Sequence, residues 1–87
     1  MGYVVRGRGG WSFNCVLQRK LGRRIASLRR ARTLTQEQLA ESVGCSVEFI
    51  SLVERGVNAP SVARLEAFAK ALGVAVKDLF SFKEGEA

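Results

Sequence analysis

From about Asn14 onward the apolar residues recur with helical rather than alternating spacing. Leu17, Leu21, Ile25 and Leu28 fall at i, i+4, i+8 and i+11, which makes one stripe of an amphipathic helix. Arg19, Lys20, Arg23, Arg24 and Arg30 lie largely off that stripe. Gly22 interrupts it and weakens a helix by about 1 kcal/mol relative to Ala. A second helix is expected from Thr35, where Thr35 and Gln38 have the spacing of a capping box, each side chain satisfying an orphan backbone N–H. Leu39, Ala40 and Val43 form its inner face, and Gly44 stops it by supplying a left-handed terminus. A third helix follows Ser46, a good N-cap, with Ile50 and Val53 inward and Gly56 at its end. Val57-Asn58-Ala59-Pro60 reads as a loop, since Pro60 blocks helix continuation. Ser61 caps a fourth helix with Val62, Leu65, Phe68, Ala69 and Leu72 as inner positions, terminated by Gly73. A short fifth helix around Val76 to Phe80 carries Val76, Leu79 and Phe80 as its apolar residues. No stretch alternates like a strand, so the expected fold is all-α, a compact domain of five helices.

The 87 residues leave room for one domain. Residues 1–13 hold four of the nine glycines and show no helical period, so they read as a flexible basic arm containing Arg6 and Arg8. The domain is expected over residues 14–82 and a polar tail over 83–87. No apolar stretch resembles a signal peptide or approaches the roughly 18 residues of a membrane helix. Two cysteines and no histidine argue against a disulfide scaffold or a zinc site. Cys15 and Cys45 are expected as reduced thiols in a cytoplasmic protein, with Cys45 packed into the core rather than serving redox or metal chemistry.

Charge adds a partner class. The net charge is +6, but residues 1–34 hold nine Lys/Arg and no Asp/Glu, giving +9, while residues 35–87 hold five against eight, giving −3. A basic end of this kind suits a polyanion, although a solubilising surface accounts for the charge equally well. The chain offers no nucleophile–base pair and no phosphate-loop glycine pattern. An enzyme is therefore not expected, and no cofactor is implied.

The segment Gln36 to Arg55 is the informative one. Two short helices joined by a three-residue turn cross steeply and closely, so a contact residue on the first must be small, as Ala40 is. The turn needs a positive φ, which Gly44 provides. Leu39, Val43, Cys45, Ile50 and Val53 must be apolar to fill the space between the helices, and they are. Each feature is common alone; all of them in register within 20 residues define a helix-turn-helix pattern.

The sequence here resembles the lambda-repressor-like, or Xre-type, helix-turn-helix family. The carrying residues are Thr35-Gln36-Glu37-Gln38-Leu39-Ala40, Gly44, Ile50-Ser51, Glu54-Arg55-Gly56, Asn58-Ala59-Pro60-Ser61 and the run Leu65 to Val74. The resemblance covers about residues 20–80 and looks most like phage repressors, Cro-type proteins and restriction–modification controller proteins. It implies a five-helix DNA-binding domain, with the helix-turn-helix at helices 2 and 3, acting as a homodimer on a palindromic operator of double-stranded DNA. It also assigns Gln36 to a backbone phosphate, a role that fits the free N–H groups and positive dipole of a helix N-terminus. Ser46, Arg55 and Asn58 are the other expected phosphate contacts. Arg29 and Glu54 match a family pair bridging helices 1 and 3, for which surface solvation of both is the alternative.

On the same resemblance, base reading falls to Val47, Glu48, Ser51 and Leu52 on the exposed face of helix 3. This departs from a strong reader's usual Arg, Lys, Asn or Gln. Glu48 suits a hydrogen bond from cytosine N4, or simply the helix dipole; Val47 and Leu52 suit thymine methyls. Phe49 is expected to pack or to flank the backbone. A second copy is expected against Val76, Leu79, Phe80 and Phe82, because these exceed what one short helix buries; closing the monomer core is the alternative. The acidic Glu37/Glu41 face is a candidate RNA polymerase contact or a solvated surface. A different class remains open: an antitoxin or interaction module whose main partner is another protein, for which apolar Val47 and Leu52 are equally suited.

Overall fold

A computed structural model of the chain describes residues 15–82. The arm at 1–13, with Arg6 and Arg8, and the tail at 83–87 lie outside the described residues. Four α-helices follow one another: α1 (Val16–Ala31), α2 (Gln36–Val43), α3 (Val47–Glu54) and α4 (Val62–Leu72). A 3-10 helix, Val76–Phe80, closes the order, and the described residues contain no strand. The expectation of five α-helices is thus corrected to four. Gly73 turns left-handed at φ 71° and Ala75 is extended, leaving only five residues for the last element. That is too short to repay α-helix nucleation, and the chain takes the tighter winding instead, with Asp78 N–H donating to the Ala75 carbonyl at 2.9 Å.

The helix ends follow from the caps. Thr35 Oγ1 accepts from Gln38 N–H at 3.0 Å while Gln38 Oε1 accepts from Thr35 N–H at 2.8 Å, a complete capping box. Ser46 Oγ and Ser61 Oγ cap α3 and α4 by accepting from the N–H groups of Phe49 and Arg64. α1 begins at Val16 without a side-chain cap, two residues later than the sequence pattern indicates.

Leu21, Ile25, Leu39, Ala40, Val43, Ile50, Val53, Phe68, Ala69, Leu72 and Leu79 form one buried core. α2 packs on α3 and α4, and α1 packs on α3 and on the 3-10 helix. Two positions expected on inner faces are exposed: Leu17 (52%) and Val62 (80%). Leu17 and Val62 sit in the first turns of their helices, ahead of where the buried stretches begin at Leu21 and Phe68. Neighbouring elements meet those turns through Gln18 and Arg64, but the apolar core does not extend to Leu17 or Val62. Among the described residues no helix is long and apolar enough to cross a membrane.

Two backbone positions place the helices. Gly22 is buried, and a Cβ built on it would overlap the Val53 carbonyl oxygen and lie 2.9 Å from that of Glu54. Only glycine lets α1 approach the end of α3 so closely. Thr33, between α1 and α2, has φ 55°, in the left-handed region that a β-branched residue rarely adopts.

Candidate nucleic-acid interface

The turn between α2 and α3 is closed from both sides. Gly44, at φ 85°, and Cys45 both donate their N–H groups to the Ala40 carbonyl, at 2.8 and 3.0 Å. Arg64 of α4 donates to the Gly44 carbonyl at 3.1 Å, and its guanidinium lies 5.5 Å from the centre of the Phe49 ring. Ala40 is buried where the helices cross. Cys45 is half-buried against the core, as its packing reading requires. Burial pushes its thiol pKa up, partly opposed by the nearby Arg64 charge, so the thiol is not an activated nucleophile.

Glu54 is the hub of the site. Its carboxylate accepts from Arg29 Nε at 2.7 Å, from Arg29 Nη2 at 3.2 Å and from Gln36 Nε2 at 2.9 Å. Arg29 Nη1 also donates to the Leu34 carbonyl at 2.8 Å. The side chains of Arg29 and Glu54 are 13% and 6% exposed, so this is a largely buried bidentate pair rather than two solvated charges. One carboxylate therefore joins α1, the α1–α2 loop, α2 and α3.

The residues expected to meet DNA divide by position. Val47, Glu48, Ser46 and Arg55 are exposed, whereas Ser51, Leu52, Gln36 and Asn58 are half-buried. Gln36, Ser51 and Arg55 line one open groove, with Arg23, Ala26, Ser27, Arg29, Arg30 and Glu54. Val47 and Glu48 lie beyond it on the first turn of α3. Asn58 is fixed by its backbone, its N–H donating to the Leu52 carbonyl at 3.2 Å. Glu37 and Glu41 are exposed on α2.

The expected interface with a second copy needs one correction. Leu79 is completely buried in the chain's own core and has no surface to offer another. Val76 and Phe80 remain exposed, at 37% and 36%. Phe82 is half-buried, edge-on to Phe80 at 6.3 Å between ring centres, with Lys20 Nζ 5.9 Å from its ring.

Several contributors were not legible as site residues. Gly22 reads as a helix defect because its reason lies 31 positions away in α3. Arg64 carries no signal in the spacing of the chain, yet it braces the turn. Gln18 Nε2 donates to the Gly56 carbonyl at 2.9 Å and Arg24 Nε to the Asp78 carbonyl at 2.8 Å, tying α1 to the end of α3 and to the 3-10 helix. A polar side chain reaching a distant carbonyl leaves no local pattern.

This geometry is that of a helix-turn-helix domain, and the comparisons agree. The helix-turn-helix domain family matches residues 20–79, and the chain belongs to it. The immunity repressor protein of Bacillus phage phi105 is 45% identical over 56 residues, 64% of this chain and 39% of that protein. The chain thus spans about two fifths of that relative's length. The restriction–modification controller protein C.AhdI from Aeromonas hydrophila superposes with a TM-score of 0.71 at 35% identity, covering 72% of this chain and 96% of the other. The P22 c2 repressor protein, solved in complex with a synthetic operator, gives 0.67 at 33% identity over 70% of this chain and 92% of the other. The chain therefore groups with helix-turn-helix proteins of the Xre type.

Proposed function

We propose that the chain is a sequence-specific regulator of transcription that binds double-stranded DNA as a homodimer on a palindromic operator, in the cytoplasm and without catalysis. The observation that carries this reading is the Glu54 hub. It fixes Gln36, at the start of α2, against the end of α3, so that the phosphate-facing helix end and the base-facing helix form one rigid unit. In the proposed complex α3 enters the major groove, where Val47, Glu48, Ser51 and Leu52 face base edges. Gln36, Ser46, Arg55 and Asn58 hold the backbone and set the register. The operator-bound P22 c2 repressor, a structural neighbour at 33% identity, supports this mode of use. Repression follows from occluding the polymerase; activation would need a polymerase contact, for which Glu37 and Glu41 offer an exposed acidic face.

Two recognition helices about 34 Å apart are needed to read a palindrome. Among the described residues each chain supplies one such helix, α3, and the second is proposed to come from a second copy. Val76 and Phe80, exposed apolar residues on the 3-10 helix, are the proposed centre of a self-complementary contact, with Phe82 at its edge. Selection of bound duplexes from a random pool tests the reading: an inverted repeat with half-sites one helical turn apart is expected, and recovery of no common sequence would overturn it.

A further inference from the structure

Arg23, Ala26, Ser27 and Arg30 of α1 fall at i, i+3, i+4 and i+7, so they share one face of that helix. That face lines the groove of about 640 Å³ whose opposite side is Gln36 of α2 with Ser51, Glu54 and Arg55 at the end of α3. Of the residues lining it, Ala26, Ser27 and Ser51 are small and four are arginines. Four arginines against one carboxylate give the groove a net charge of +3. Arg29 is consumed by Glu54 and the Leu34 carbonyl. Among the described residues Arg23, Arg30 and Arg55 make no ion pair and donate no side-chain hydrogen bond. At the same end of the groove, the N–H groups of Gln36 and Glu37 have no backbone acceptor, and Thr35 Oγ1 is taken by Gln38.

We infer that this groove seats the sugar–phosphate backbone beside the bases that α3 reads, and that Arg23 and Arg30 are phosphate ligands. Three cations without partners converge where the anion-favouring end of α2 meets the end of the reading helix. The guanidinium fork matches phosphate oxygens bidentately. From Arg23 to Arg30, α1 runs about 10 Å, so the groove meets a stretch of strand rather than a single group. The first helix is thereby part of the backbone clamp and not only a support for the helix-turn-helix. The inference rests on the duplex-binding reading above, and its test separates the two.

The test uses the full chain on a labelled duplex, with affinity measured by fluorescence anisotropy over 50–200 mM salt and folding checked by circular dichroism. Each lost phosphate contact lowers the slope of log affinity against log salt by about 0.9. Arg23→Gln with Arg30→Gln should therefore flatten the slope by about 1.8, so that affinity falls about tenfold less across this range. All duplexes should be weakened alike. Arg23→Lys with Arg30→Lys should keep the wild-type slope, and Lys70→Gln with Lys77→Gln, which removes two cations outside the groove, should leave it unchanged. A folded glutamine variant with the wild-type slope, or a slope changed equally by the Lys70/Lys77 variant, overturns the inference while duplex binding stands. A wild-type chain that binds no duplex overturns both.

Discussion

The backbone of Gly22 lies against the carbonyl oxygen of Val53, closer than any side chain permits. This approach sets α3 on α1, and so sets the angle at which the outer face of α3 is presented. Gly22→Ala would gain about 1 kcal/mol of helix propensity. It would also force α3 outward, and overpacking of this kind costs about 1–3 kcal/mol. Backbone carbonyls cannot swing aside like a side chain, so the cost prevails. Thermal unfolding should show a melting temperature several degrees below wild type. An equal or higher value would mean that the helices separate without penalty.

Glu54→Ala removes the acceptor for both Arg29 and Gln36. It strands a largely buried guanidinium, at a cost of about 3–5 kcal/mol. Glu41→Ala, on an exposed position of α2, should change stability by under about 0.5 kcal/mol. Urea denaturation of the two variants gives the comparison. Coincident midpoints would show that the hub contributes nothing to the fold.

Thr33 holds a left-handed conformation at φ 55°, which costs an L-residue about 1–2 kcal/mol. Thr33→Gly removes that strain and adds back part of it as unfolded-chain entropy. A net gain of about 0.5–1 kcal/mol is expected, read as a higher denaturation midpoint at unchanged slope. A destabilised glycine variant would indicate that Thr33 makes contacts worth more than its strain.

Much of the architecture was legible because it is written in local rules. The Thr35/Gln38 box, the serine caps and the left-handed glycines at 44, 56 and 73 each act within four residues, and all are where the pattern placed them. The Arg29–Glu54 pair was legible only through family resemblance, since nothing local joins positions 25 apart. The misplacements have two causes. Periodicity tells which face of a helix is apolar but not how far along it the apolar core extends, so Leu17 and Val62 were assigned to a core that does not reach them. Leu79 erred the other way: its neighbours Val76 and Phe80 do face outward, but the 3-10 winding turns Leu79 fully inward. Gly22 and Arg64 owe their roles to contacts with other elements, which spacing along the chain does not encode.

Removing Leu79 from the proposed dimer contact leaves Val76 as the cleaner probe, because it is exposed and outside the core. Val76→Glu places a charge at the centre of the proposed two-fold contact, where each copy would face the other's. Sedimentation equilibrium should show a dimeric wild type and a monomeric variant with unchanged helical circular dichroism. A variant that stays dimeric moves the interface elsewhere.

The account turns on sequence-specific reading by the exposed face of α3. The most direct measurement is the affinity ratio of the wild-type chain for a selected duplex and for the same bases shuffled, by fluorescence anisotropy at about 150 mM salt. Specific binding of this class exceeds non-specific binding by about 10³-fold or more, and a ratio of that order is predicted. Equal affinity for the two duplexes would leave a basic protein that holds DNA without reading it, and would contradict the assignment of Val47, Glu48, Ser51 and Leu52 to base recognition.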